Sequence, residues 1–187
     1  RKLSDPCLDL FAAVLGAVPE SLLVLKSQSF VEAAEQERIL QRLLQRDIPA
    51  ERIEILPWAA DAREHLELYG RMDAALDPIP YGGATTTAEA LWMGVPVLAL
   101  AGAGMVGRLA ASVLAGAGLG AAIAQNPEDF VAKAQAVARQ GARSVEQRQR
   151  LRQHLLGSPL LDGAGLAASL EALYRQLWHQ LLGLKRP

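Results

Sequence analysis

One stretch concentrates the residue types that hold phosphate without relying on charge: Tyr81-Gly82-Gly83-Ala84-Thr85-Thr86-Thr87-Ala88-Glu89. Two adjacent glycines let a backbone turn sharply and come close to a ligand. A helix beginning at the threonines aims its unpaired N–H groups, and roughly half a positive charge, at whatever lies in front of it. Phosphate is the natural occupant, and three hydroxyls add donors without adding charge. That matters because 19 Lys plus Arg stand against 20 Asp plus Glu, a formal charge of −1. The chain therefore has no broad basic field, any anion must be held locally, and nucleic acid is not an expected partner. The stretch is neither a Gly-x-x-x-x-Gly-Lys-Ser/Thr loop nor Gly-x-Gly-x-x-Gly, so no particular nucleotide follows from its glycines. Local chemistry alone also suits a tight turn with Thr85 as an ordinary helix N-cap.

The elements around this stretch must present it. Short apolar runs alternate with helical patterns, which is the mark of parallel strands joined by crossover helices. Helices are expected over residues 5–18, 30–46, 85–93, 105–114 and 127–139, with a further one capped by Asp61. Strands are expected over 21–26, 52–56, 72–76, 95–100 and 121–124. Ser4 and Asp5 before Pro6, Gly94 after 85–93, and Pro127 with Glu128 supply starts and stops. After residue 142 the strands cease, and 144–156 and 166–182 are helical only, separated by Gly157, Ser158 and Pro159. The expected fold is α/β: a Rossmann-like parallel sheet with flanking helices over 1–142, followed by a helical extension over 143–187 that packs on it.

Composition narrows the classes further. Hydrophobic residues at 51% and charged residues at 21% predict an ordered globule with one core. No apolar run reaches the roughly 20 residues needed to span a bilayer. The single Cys7 cannot form an internal disulfide, so a cytoplasmic location is expected and no thiolate metal cluster is possible. His154 and His179 show no metal-ligand spacing with His65, and no metal is expected. Asp73 and Asp77 flank a strand end and read as structural. Trp58, Trp92 and Trp178 read as core or interlobe packing, and the arginine-rich segment 143–152 as a solvated face. The chain opens at Arg1 and reads as a piece of a longer protein.

A wider pattern adds to this. Glu51-Arg52-Ile53-Glu54-Ile55-Leu56-Pro57-Trp58 is followed by Glu64-His65-Leu66 with Tyr69, Asp73 and Leu76-Asp77. Pro80-Tyr81 and Thr85-Thr86-Thr87-Ala88-Glu89-Ala90-Leu91-Trp92-Met93-Gly94-Val95-Pro96 come next. With Arg108, Ala124, Ser158-Pro159-Leu160, Leu170-Glu171, Tyr174-Arg175 and Trp178, these segments strongly resemble the C-terminal catalytic lobe of the O-GlcNAc transferase family (glycosyltransferase family 41, with its SPINDLY-like bacterial members). The resemblance covers nearly the whole chain.

In that family two Rossmann-like lobes of a GT-B enzyme face each other across a cleft, and the C-terminal lobe holds the UDP of UDP-N-acetylglucosamine. The resemblance implies an inverting, metal-independent transfer of N-acetylglucosamine to Ser or Thr of an acceptor protein. It also implies an N-terminal catalytic lobe and a tetratricopeptide-repeat (TPR) region as partners, and a fragment that is inactive alone. Lys2 matches a lysine that pairs with the diphosphate and stabilises departing UDP, a form of electrostatic catalysis. His65 matches a histidine stacked on uracil, and Ala60 a position whose backbone reads the uracil edge. Thr85, Thr86 and Thr87 match phosphate contacts, and Glu89 an acidic residue that accepts from the ribose hydroxyls. Gly82 stands where members often have Asn, and Ala84 where some have His, which removes side-chain contacts near sugar and phosphate. Two other readings stay open: a non-catalytic module with a degenerate nucleotide site, and a related enzyme using another UDP-sugar.

Overall fold

The computed structural model describes residues 2–183; residue 1 and residues 184–187, the outer ends of the two expected units, lie outside the described residues. Helix α1 (Asp5–Ala17) starts as its sequence dictates: the Ser4 hydroxyl accepts from the Cys7 N–H, Pro6 sits in the first turn, and Asp5 faces the positive helix end. It buries two sides. Cys7, Leu8, Phe11 and Leu15 pack into one cluster with Leu23, Leu25, Phe30, Ile39 and Leu43. Leu10 and Val14 enter another, with Leu98 and Phe130.

Strand β1 (Leu23–Lys26) runs parallel to β2 (Ile53–Leu56), with Leu23 opposite Ile53 and Lys26 opposite Leu56. The single helix expected at 30–46 is instead a 3-10 turn, Gln28–Val31, followed by helix α2 (Ala33–Leu44). The break has a cause. Phe30 is driven into the core, the Gln36 amide donates to its carbonyl at 2.6 Å, and Glu32 is left extended between the two elements. Arg52, just before β2, clamps the chain leaving α1 by donating to the carbonyls of Leu15, Val18 and Ser21, each at 2.9 Å.

Helix α3 (Ala62–Glu67) leads to β3 (Ala75–Leu76), then α4 (Thr85–Trp92), β4 (Val97–Leu100), α5 (Leu109–Gly116), β5 (Ile123–Ala124) and α6 (Pro127–Ala138). β3, β4 and β5 form a second parallel patch in that order. β3 begins later than the expected residue 72: the Met72 N–H closes the 3-10 turn Leu68–Arg71 on the Tyr69 carbonyl, and the Met72 carbonyl accepts from the Arg148 guanidinium at 2.7 Å. The start of the expected helix at 105–114 is likewise a 3-10 turn, Val106–Arg108. Central β4 shows why a parallel strand reads as an unbroken apolar run. Val97 and Ala99 enter a cluster with Leu91, Leu114 and Leu155, while Leu98 faces α1 and α6 on the other side.

Between the two patches β1 faces β3 across a crevice of about 930 Å³. The strands of both patches are parallel within their own patch, and ligands of open α/β sheets bind at the carboxyl ends of the strands.

Helix α7 (Val145–Leu156) belongs to the packed body: Leu155 is buried beside α4 and α5, and Arg152 lies 4.2 Å from the Trp92 ring centroid. Helix α8 (Gly163–Leu181) buries no residue. Among the described residues no helix is long and apolar enough to cross a membrane.

Gly94 joins α4 to β4 at φ +74°, and a Cβ there would come within 2.5 Å of the Arg148 backbone of α7. Gly94→Ala should therefore cost about 1–3 kcal/mol. Gly16, inside α1, has no such neighbour within 4 Å. Gly16→Ala should leave stability unchanged or raise it by up to about 1 kcal/mol. Urea unfolding of both variants checks the pair; equal midpoints would remove the role assigned to the Gly94 turn.

Candidate functional site

The site is built at the carboxyl ends of the strands, beginning with the turn from β3 into α4. Asp77 follows β3 and is only 5% exposed. Its Oδ1 accepts from the Gly83 N–H at 2.7 Å, and a Cβ at Gly82 would meet its Oδ2 at 2.8 Å. Gly82 is thus required by this chain's own carboxylate, and a Cβ at Gly83 would first meet the Thr86 hydroxyl, at 2.4 Å. Burial pushes the Asp77 carboxyl up to about 6, against the opposing pull of the Gly83 N–H and the Lys2 charge.

The turn delivers α4 with its N-terminus bare. The N-cap is Ala84, not Thr85, and no side chain caps the helix. Thr85 is the first helical residue. Among the described residues no hydrogen bond takes up the N–H groups of Thr85, Thr86 or Thr87. Thr85 and Thr86 are exposed. Thr87 is 3% exposed and its hydroxyl donates to the Gly83 carbonyl at 3.0 Å, so it has only its main-chain N–H to offer a ligand. The expected trio of hydroxyls is a pair, because the third locks the turn.

Lys2 stands across from this helix end, exposed, with its Nζ 5.1 Å from the Tyr81 ring centroid. His65 comes from α3, whose start is fixed by Asp61 accepting from the Glu64 N–H at 2.8 Å. The Glu64 carboxylate accepts from the Ala60 N–H at 2.6 Å, which leaves Ala60's carbonyl for any edge reading by that residue. His65 Nε2 lies 3.0 Å from Glu89 Oε2, and its Nδ1 pairs with the Lys26 ammonium at the end of β1. Its ring is stacked with Trp58 at 5.8 Å and 17°, and meets the edge of Tyr69 at 5.6 Å and 71°. Tyr69 donates to the Thr86 carbonyl at 3.3 Å; burial and the Glu89 charge push its phenol up to about 12, so it remains a donor.

His65 and Glu89 are thus in contact, and Lys2, His65 and Thr86 line one crevice with Lys26, Trp58 and Tyr69. Glu89 lies one turn along α4 from Thr85 and Thr86, on their side of the helix. Ala60 sits at the rim, and Thr87 faces inward.

The family model of glycosyl transferase family 41 matches residues 1–170 of this chain. The chain belongs to that family. Over 177 residues it is 34% identical to an Arabidopsis thaliana protein named "Probable UDP-N-acetylglucosamine–peptide N-acetylglucosaminyltransferase SPINDLY", a match that covers 95% of this chain and 19% of that protein. It is 24% identical over 177 residues to a Caenorhabditis elegans UDP-N-acetylglucosamine–peptide N-acetylglucosaminyltransferase, covering 95% of this chain and 15% of the other. Among solved structures, a mutant O-GlcNAc transferase of Thermobaculum terrenum superposes with a TM-score of 0.82 at 34% identity, over 96% of this chain and 34% of that one. The α/β fold with parallel strands and flanking helices is that of the matched part of the transferase. The chain spans about a fifth of the SPINDLY relative's length and about a third of the solved chain.

Within this family 41 chain, sequence reasoning missed Lys26, and of the two places expected for the tryptophans, core or interlobe, the core is ruled out. Trp58, Trp92 and Trp178 are 57%, 36% and 58% exposed, so none is a core residue. The signal for Lys26 and Trp58 was available. Each stands at or just past the carboxyl end of an apolar strand, where α/β proteins build their sites. Asp73 is structural as expected, accepting from the Arg143 N–H at 3.3 Å.

Asp77 binds its proton more tightly in the folded chain than in the unfolded one, whose ordinary value is 3.8, so ionisation opposes folding. The stability from its protonated form is complete below about pH 4 and is lost as pH rises through about 6. Asp77→Asn keeps an oxygen for the Gly83 N–H and removes the charge. Relative to the parent, the variant should gain roughly 3 kcal/mol between pH 4 and pH 7 in urea unfolding. A pH-independent difference would contradict the burial argument.

Proposed function

We propose that this chain is the donor-binding half of a protein O-linked N-acetylglucosaminyltransferase. It holds the UDP of UDP-N-acetylglucosamine while the sugar passes, with inversion, to a serine or threonine hydroxyl of an acceptor protein. The observation that supports this most is the uncapped start of α4 facing a crevice that Lys2 and His65 also line. The amides of Thr85 to Thr87 receive the diphosphate, and the Lys2 ammonium offsets the charge that grows on UDP as the glycosidic bond breaks. No metal is needed for that offset in this reading. His65 gives its ring face to uracil, and Glu89 accepts from the ribose hydroxyls. The names of the relatives, which act on peptides with UDP-N-acetylglucosamine, support the donor and the acceptor class.

The rest of the active site belongs to an N-terminal catalytic lobe, with a TPR region to gather acceptors, in the cytoplasm. α8 seats on that lobe: Leu166, Leu170, Leu173, Leu177 and Trp178 fall on one face of the helix and are exposed. The 187-residue chain alone therefore binds UDP weakly and transfers no sugar.

Gly82 bears on the rival reading of a degenerate, non-catalytic site. A Cβ there would meet Asp77 Oδ2 at 2.8 Å, so in this chain the glycine is fitted to its own turn.

Calorimetry with UDP tests the proposal. Binding should be measurable, and Lys2→Ala and His65→Ala should each weaken it by about tenfold, the order expected for one charge-assisted contact or one stacked base. Absence of heat and of any thermal shift at millimolar UDP would sink the reading. Equal binding of GDP or ADP would remove its uracil part, and competition among UDP-sugars would separate N-acetylglucosamine from another sugar.

A further inference from the structure

We propose that Lys26 is a positioning residue for His65: its ammonium fixes the imidazole as the Nε2–H tautomer and pins the ring between Lys26 and Glu89, so that the ring offers a ligand only its face. The three side chains come from three elements, the end of β1, helix α3 and helix α4. Lys26 Nζ meets His65 Nδ1, and Glu89 Oε2 lies 3.0 Å from His65 Nε2.

With Lys26 charged, one assignment follows. An ammonium has three donors and no acceptor, so Nδ1 must accept. Burial lowers the Lys26 ammonium's affinity for its proton, but Glu64 and Glu89 both act to keep it charged. The neutral ring then carries its proton on Nε2, where a carboxylate oxygen waits to accept it. The opposite tautomer would set two N–H groups against each other at Lys26 and two acceptors against each other at Glu89.

Two consequences follow for the site. With both nitrogens engaged, His65 has no free atom with which to move a proton, and its use is as a flat surface. Glu89 is held through one oxygen, and its other oxygen takes no hydrogen bond among the described residues. Lys26 also lies 5.2 Å from the Trp58 ring centroid, so the same cation steadies the ring that stacks on His65.

The ligand arm of the test rests on the donor-site reading above; the tautomer arm does not. Long-range proton–nitrogen NMR of the full chain at neutral pH, with the His65 signals assigned by their loss in His65→Gln, should show Nε2 protonated and Nδ1 bare. Lys26→Met, which keeps the stem against Trp58, should give a mixture of tautomers and weaken UDP binding by about tenfold. Lys26→Arg should restore both. A native ring with its proton on Nδ1, or on both nitrogens, overturns the proposal, and so does a Lys26→Met spectrum like the parent's. If Lys26→Met fails to fold, the native spectrum alone decides. A native tautomer as stated, in a chain that binds no UDP, removes the donor-site reading and leaves the pinning intact. UDP binding with a ring indifferent to Lys26 does the reverse.

Discussion

A single buried hydrogen bond, from the Gly83 N–H to the Asp77 carboxylate, sets the direction of everything that makes this site. It closes the turn between the last residue of β3 and the first of α4. The closing is expensive, since a carboxylate with 5% exposure gives up most of its water. What it secures is an orientation. With Gly83 held, the Thr87 hydroxyl finds the Gly83 carbonyl, and the helix leaves with Ala84 as a cap that has no oxygen to offer. Three amides are then left without an internal partner just past the carboxyl end of β3. A side-chain cap would have stabilised the helix by about 1 kcal/mol and filled the place.

The arrangement also explains how a chain with a formal charge of −1 can be suited to a diphosphate. Charge is supplied locally and in small amounts. The helix end contributes about half a unit, Lys2 one more, and Lys26 is partly spent on His65. The remaining specificity comes from geometry: rings from Trp58, His65 and Tyr69 in contact, with a carboxylate beside them. A broad basic surface would bind any polyanion, whereas this combination requires a ligand with a flat group, hydroxyls and a compact charge in sequence.

Much of this was legible in the sequence, and the failures have physical reasons. The runs at β1 and β4 were plain because strands packed into a core carry unbroken apolar residues, and β2 because Ile53 and Ile55 alternate with Glu54. α1 and α3 were plain because Ser4 and Asp61 cap them locally, and α6 because Pro127 and Glu128 open it. What could not be read were choices made by distant partners. Ahead of β3, the Met72 carbonyl is held by Arg148, over seventy residues away. The helix at 30–46 breaks because Phe30 answers to the core rather than to its neighbours. In the site, the Gly-Gly-Ala-Thr-Thr-Thr run gave the helix start, but which threonine turns inward depends on Asp77 and the turn. The position of Lys26 at a strand's carboxyl end marked it as a site candidate, but only the fold puts His65 beside it.

The longest helix obeys different physics from the others. α8 starts well, with the Asp162 carboxylate accepting from the Gly165 N–H at 2.8 Å, and it carries a Glu171–Arg175 ion pair one turn apart. These local terms amount to a few tenths of a kcal/mol for the exposed pair and about 1 kcal/mol for the cap. In proteins most helical stability comes from burying an apolar face rather than from propensity. α8 has such a face but buries no residue within this chain, whereas α7 beside it places Leu155 in the core at 2% exposure. Two helices adjacent in sequence therefore differ in what holds them. α7 is held by the lobe it belongs to, and α8 is shaped for a surface that the described residues do not supply.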